Sequence, residues 1–289
     1  MPVPRAEGFT ATTDVPLYWR EDGPSGAPPV VVLHGGPGAH HDYLYPQMLA
    51  LAATHRVITY DQRGGGRSRT DDPVPITWHT QVDDLSMVLR EFGLESPAIV
   101  GYSWGALLAM LYAIQGLTRH TMPPLGRMAL ISPAPITRDW RDQFEAELLA
   151  RQRGPVIHQL RAELSASGLR ETNMAAYRQR SFELSVAGYF ANPRLAESLT
   201  AFRVTGRVQA SIWESLGDFD LTSELRAVSR AVRRPVLVVH GRNDPIPLVS
   251  AEAVAAALDG QLVVLDDCGH VPYVEQPRKL FDAMLRFLS

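Results

Sequence analysis

Lysine is almost missing from this 289-residue chain: of 28 basic residues only Lys279 is a lysine, and the rest are arginine. A phosphate-binding P-loop needs a lysine behind its glycines, and Lys279 sits in Pro-Arg-Lys-Leu with no glycine loop before it, so that chemistry is excluded. A lysine Schiff base is open at that one position only. The single cysteine, Cys268, excludes an intrachain disulfide framework and a multi-cysteine zinc site. The arginines are scattered and the net charge is −3, so no basic patch marks a nucleic-acid groove. Met1 to Tyr18 has no apolar core, and no secretory signal peptide is expected. One uncharged run, Ser96 to Thr118, has the length of a membrane span. It contains Pro97, Gly101, Ser103, Gly105, Gln115 and Gly116, and divides into a strand and a helix. No nucleic-acid or membrane partner is expected, and the chain reads as soluble and cytoplasmic. His40 and His41 point apart in an extended chain and no His-Glu-x-x-His occurs, so neither a metal nor another cofactor is expected.

The chain does have a large apolar fraction, 45%, enough for a sizeable core. Short runs rich in β-branched residues recur at Val30–Leu33, Arg56–Tyr60, Ala98–Val100, Met128–Ile131, Val236–Val239 and Leu262–Leu265. Each is flanked by Gly, Pro or Asp and is too short for a helix, which predicts buried strands. Helical patterns lie between them: Thr77–Phe92, Ala106–Gln115, Val249–Leu258 and Gln276–Leu288. The alternation predicts an α/β fold, a mostly parallel sheet with helices on both faces. Phe9–Thr13 and Val15–Arg20 predict an antiparallel edge hairpin. The rhythm stops between Ser132 and about Arg233, where Trp140–Arg151, Pro155–Ser167, Met174–Ala187 and Pro193–Phe202 all look helical. The expected organisation is a core of residues 1–133 and 233–289, with a helical cap of residues 134–232 inserted before the penultimate strand. Such an insertion would sit over the strand C-terminal ends, where open α/β sheets bind ligands.

Gly101-Tyr-Ser-Trp-Gly105 follows one predicted strand and opens a helix. A serine on that sharp bend is pushed out above the sheet, with a helix N-terminus beneath it. A serine hydroxyl is a poor nucleophile without a base, so a histidine and a carboxylate must follow. Asp244 lies in the loop after Val236–Val239 and His270 in the loop after Leu262–Leu265, the order this architecture requires. Asp266 and Asp267 are alternative acids, although close in chain to His270. His240 fits a buried strand end. Cys268 is an alternative nucleophile that fits a small buried residue better. His34-Gly-Gly-Pro-Gly38 is a glycine loop in which backbone N–H groups, Gly35 among them, can approach an acyl oxygen and, with the Trp104 N–H, form an oxyanion hole. Asp61-Gln-Arg-Gly-Gly-Gly-Arg-Ser68 fails as a dinucleotide fingerprint, because the last glycine is missing and the loop runs on through Asp71, Asp72 and Pro73. It fits a brace for the neighbouring loops.

These motifs, with His41-Asp-Tyr-Leu44, Asp218-Phe-Asp-Leu-Thr222 and Asp267-Cys-Gly-His270, resemble the proline iminopeptidase family of α/β-hydrolases over nearly the whole chain. The resemblance implies the α/β-hydrolase fold, a helical cap, a triad of Ser103, Asp244 and His270, and oxyanion donors at Gly36 and Trp104. It also implies release of N-terminal residues, proline above all, from small peptides. The family reads the free amino terminus with acids, one of them in a Gly-x-x-Glu stretch. Here that stretch is Gly206-Arg-Val-Gln209, with glutamine in place of the acid, and Pro245 falls where a second acid is expected. Glu214, Asp218 and Glu275 are possible replacements. Arg242, two residues before Asp244, either braces that acid or repels a substrate ammonium.

The first expectation is therefore a proline iminopeptidase-like aminopeptidase acting on short peptides. The alternative is a carboxylesterase or lactonase using the same triad on an uncharged small molecule. A non-catalytic binding protein of this fold is disfavoured by the complete serine, acid and histidine set.

Overall fold

The structure, a computed structural model, describes residues 3–70 and 74–289. Met1 and Pro2, and the loop continuation at Asp71, Asp72 and Pro73, lie outside the described residues.

One sheet organises the chain. Its strands are β1 (Ala6–Phe9), β2 (Tyr18–Asp22), β3 (Pro29–Leu33), β4 (Arg56–Tyr60), β5 (Ala98–Tyr102), β6 (Met128–Ile131), β7 (Val236–Gly241) and β8 (Gln261–Leu265). They lie in the order β1-β2-β4-β3-β5-β6-β7-β8. β2 pairs antiparallel with β1 and β4, and every other pair is parallel. β3 shows why these runs are strands. Val31 and Leu33 enter one apolar cluster while Val30 and Val32 enter the cluster on the opposite face. A continuous apolar run is what a parallel strand buried on both sides requires. Each of these side chains contributes roughly 1.5–3 kcal/mol by leaving water.

The helices are α1 (Trp78–Glu91), α2 (Trp104–Gln115), α3 (Arg138–Gln152), α4 (Pro155–Ala166), α5 (Leu169–Thr172), α6 (Met174–Val186), α7 (Gly206–Leu216), α8 (Thr222–Ala231), α9 (Leu248–Ala257), α10 (Pro272–Glu275) and α11 (Pro277–Leu288). Thr77 starts α1 with a reciprocal cap: its hydroxyl accepts the Thr80 N–H while the Thr80 hydroxyl accepts the Thr77 N–H. α1, α2, α8 and α9 cover one face of the sheet, and α11 with the 3₁₀ turn Gln47–Ala53 covers the other. The uncharged run from Ser96 resolves into β5 and α2. No helix among the described residues is long and apolar enough to cross a membrane.

Several elements differ from the sequence expectation. The edge hairpin forms, but its strands are β1 and β2, shifted outward from Phe9–Thr13 and Val15–Arg20. The Ala11 and Thr12 N–H groups go to the Glu91 carboxylate instead, so the β-branched threonines lie in a loop pinned to α1. Pro193–Phe202 is not a helix beyond a 3₁₀ turn at Pro193–Ser198. The chain after it extends, because Leu199 is buried and Phe202 packs 4.4 Å from the Tyr43 ring, centroid to centroid. α7 and α8 were not anticipated. α8 falls inside the segment expected to be cap, yet it packs on α2 and α9.

Candidate active site

Ser103 stands between β5 and α2 with φ 52° and ψ −115°, a backbone state that side-chain-bearing residues rarely adopt. Such strain costs on the order of 1–3 kcal/mol and persists where surrounding contacts over-determine it. Here its N–H donates to the Ile131 carbonyl, and its own carbonyl accepts the N–H groups of Ala106, Leu107 and Ala134. The flanking glycines let α2 approach the sheet: a Cβ on Gly105 would lie 2.1 Å from the Leu33 carbonyl oxygen, and one on Gly101 would lie 2.6 Å from the Ala106 Cα.

The loops after β7 and β8 bring Asp244 and His270 to this serine. His270 Nε2 lies 3.0 Å from Ser103 Oγ, and its Nδ1 lies 2.9 and 3.1 Å from the two Asp244 carboxylate oxygens. Asp244 and His270 are buried. Burial works to raise the Asp244 pKa, but His270, His240 and the N–H of Ile246 outweigh it and hold the carboxyl below the ordinary range. The acid is therefore ionised and fixes Nδ1 as the protonated nitrogen, leaving Nε2 to accept a proton from Ser103. His240 is a buried strand-end residue of β7, with Nε2 3.1 Å from the Ile246 carbonyl oxygen.

Gly36 and Trp104 both border the cavity above Ser103. Among the described residues neither backbone N–H has a protein acceptor, so both are free to meet a developing oxyanion. Gly36 holds φ 59°, which glycine reaches without penalty. The loop beginning at Asp61 braces this region. Gln62 donates to the His34 carbonyl and accepts from the Trp104 indole N–H, and Asp61 accepts both N–H groups offered by His41. Burial keeps His34 neutral, with its pKa lowered to about 4.

The cavity has a volume of about 240 Å³ and a mostly apolar wall, with Tyr43, Tyr102, Phe144, Tyr189, Trp213 and Tyr273 among its residues. A family model for the alpha/beta hydrolase fold matches residues 28–277. The chain belongs to the α/β-hydrolase fold family. This hydrolase is 25% identical over 302 residues to a proline iminopeptidase of Heyndrickxia coagulans, with 98% of each chain covered. Among solved structures it is similar to a proline iminopeptidase-related protein of Thermus thermophilus, at TM-score 0.73 and 25% identity over 98% of this chain and 96% of that one. An enol-lactonase of Burkholderia xenovorans shares the fold at TM-score 0.66 and 21% identity, over 97% of this chain and 99% of that one.

Not every residue singled out in the sequence reaches the hydrolase cavity. Gln209 lines it, but Glu214 on the same helix is exposed and lies outside the wall. Gly35 does not serve as a substrate contact: its N–H donates to the Tyr43 hydroxyl at 2.7 Å, and the residue packs behind Ser103. Arg242 turns outward to pair with Asp266 and neither braces Asp244 nor faces the cavity. Cys268 is buried, and burial raises its thiol pKa, which leaves it inert as a nucleophile.

Among the described residues, the acidic and guanidinium side chains that line the cavity are Glu145 and Arg141, both from α3. Sequence reasoning passed over both, because an i, i+4 Arg–Glu pair is the ordinary signature of a solvated helix face.

Glu275 is a further surprise. It does not face the cavity; its two oxygens accept the N–H groups of Ala191 and Gly269, each at 2.7 Å, tying the insertion to the residue before His270. Burial raises its pKa to about 7, against the pull of those N–H groups. A folded-state pKa above the unfolded value means the fold binds this proton more tightly than the unfolded chain does. Its contribution is therefore fullest below the unfolded value near 4.5 and is lost as pH rises through about 7. The stability difference between wild type and Glu275→Gln should shift against wild type by on the order of 2 kcal/mol between pH 4.5 and 8. Urea titrations of both proteins across that range test it, and parallel pH profiles contradict it.

Proposed function

We propose that this hydrolase works through an acyl-enzyme on Ser103 and that its substrates are small esters or lactones with an uncharged acyl group. As the Ser103 oxygen bonds to the carbonyl carbon, His270 Nε2 takes the hydroxyl proton and the carbonyl π electrons move onto oxygen. The Gly36 and Trp104 N–H groups meet that oxyanion. Collapse re-forms the carbonyl and breaks the bond to the alcohol oxygen, which leaves with the proton from His270. Water then repeats the sequence: His270 takes its proton, its oxygen bonds to the acyl carbon, and the acid is released as Ser103 recovers the proton.

The observation that carries the ester reading is the charge balance of the cavity. A substrate ammonium needs an unpaired carboxylate, since a buried cation without one costs several kcal/mol. Gln209 is neutral, and Glu145 is already paired with Arg141. A second reading, an aminopeptidase of the proline iminopeptidase kind, is favoured by the full-length likeness to those enzymes and by the presence of Glu145 in the wall. A panel of proline arylamide, N-blocked proline arylamide and a short-chain aryl ester separates the two. Turnover of the aryl ester without arylamide cleavage is expected. Cleavage confined to the free-amine arylamide would overturn the ester reading in favour of the second.

A further inference from the structure

One arginine of the cavity wall carries a donor that has no partner among the described residues. α3 turns Arg141, Phe144 and Glu145 toward the cavity that holds Ser103, one helical turn apart. Arg141 pairs with Glu145 through Nη2 and lays its guanidinium carbon 3.7 Å from the centre of the Trp213 ring. Its Nη1 is buried and, among the described residues, has no hydrogen-bond partner. Buried donors without acceptors are rare in folded proteins. Arginine cannot escape the problem by losing its proton, even though burial lowers its pKa. The guanidinium stacks on Trp213 and pairs with the half-exposed Glu145, two contacts that leave Nη1 as the arm of the fork without a partner among the described residues.

The surroundings place this donor beside the chemistry. The Trp213 ring lies 5.6 Å from the Trp104 ring, which directly follows the nucleophile, and the Phe144 ring lies 6.2 Å from the His270 ring. During turnover the alcohol leaves while the acyl group stays bonded to Ser103, so a wall donor that holds the acyl part serves both half-reactions. We infer that Arg141 is a specificity-determining residue whose Nη1 binds a second, uncharged carbonyl oxygen in the acyl chain of the substrate. The choice of a neutral acceptor follows from Glu145. A substrate carboxylate at Nη1 would stand near the Glu145 carboxylate and be repelled, whereas a keto oxygen accepts the hydrogen bond and leaves the ion pair intact. This assignment rests on the ester-hydrolase reading and extends it to a substrate class, oxo-acyl esters.

The test compares kcat/KM for phenyl 4-oxopentanoate, phenyl pentanoate and monophenyl succinate in wild type, Arg141→Met and Glu145→Gln. Wild type should prefer the oxo ester over the plain ester by about tenfold, the effect of one hydrogen bond to a charged donor. In Arg141→Met that ratio should fall close to one. The ratio is taken within a single protein, so a general loss of folding or rate cancels. Glu145→Gln should raise succinate turnover relative to the oxo ester, since the repelling charge is gone. An unchanged oxo-to-plain ratio in Arg141→Met overturns the assignment while leaving the hydrolase reading intact. Preference of wild type for the succinate overturns the neutral acceptor. Absence of turnover of all three esters overturns the assignment and the ester reading together.

Discussion

Ser103→Ala is expected to lower kcat/KM by at least about 10,000-fold, because in the proposed mechanism its hydroxyl oxygen is the atom that bonds to the acyl carbon. Cys268 is buried with a raised pKa, and among the described residues no other hydroxyl is paired with His270 Nε2. The loss should not grow much when His270→Ala is added. The two residues act as one unit, the histidine serving only to move the serine proton, so removing either disables the other. Any residual activity should reflect the Gly36 and Trp104 N–H groups, which remain in place. Steady-state kinetics on the aryl ester for both single variants and the double variant check this. Multiplicative losses would contradict a shared proton-transfer unit.

Gly105→Ala is expected to cost about 4 kcal/mol or more, the range reserved for substitutions that the surroundings cannot accommodate. The new methyl would meet backbone and not a yielding side chain: the Leu33 carbonyl oxygen at 2.1 Å, its carbon at 2.6 Å and the His34 carbonyl oxygen at 2.8 Å. Relief requires α2 to move away from β3, which would separate Leu33, Leu107 and their neighbours in the main apolar cluster. A domain's whole stability is about 5–15 kcal/mol, so the variant should be largely insoluble or melt far below wild type. A thermal melt within a few degrees of wild type would mean that α2 does not pack this closely. Gly93, where a Cβ would meet nothing within 4 Å, is the contrasting site: there the strain of its φ of 63° is the sole penalty.

The meeting of Ser103, Asp244 and His270 was legible because each of the three carries a local signal. The serine sits between a β-branched run and an apolar helix, and Asp244 and His270 each follow a strand, so chain order alone brought the three together. The parallel sheet was legible for the same reason, in runs such as Val30–Leu33 that are apolar on both faces. The cavity wall was not. α3 has no fully buried residue, so its apolar periodicity is weak, and nothing in the sequence separates Arg141 and Glu145, which border the cavity holding Ser103, from ordinary surface charges. Glu275 was read as a candidate for substrate charge, yet it satisfies backbone groups, one of them 84 residues away in chain. Nothing in the sequence marks which carboxylate will receive such a bond. The hairpin shift has a similar origin, since Thr12 favours strand by type but its N–H, with that of Ala11, finds the Glu91 carboxylate by position.

The most direct test of the account is to trap the covalent intermediate. Turnover of the aryl ester is stopped with acid within the first catalytic cycle, and the protein is digested and mapped by mass spectrometry. The mass of the acyl group should appear on the peptide containing Ser103 and be absent from the Ser103→Ala protein treated identically. Acyl mass on any other residue, or a burst of phenol with no acylated peptide, would contradict an acyl-enzyme at Ser103.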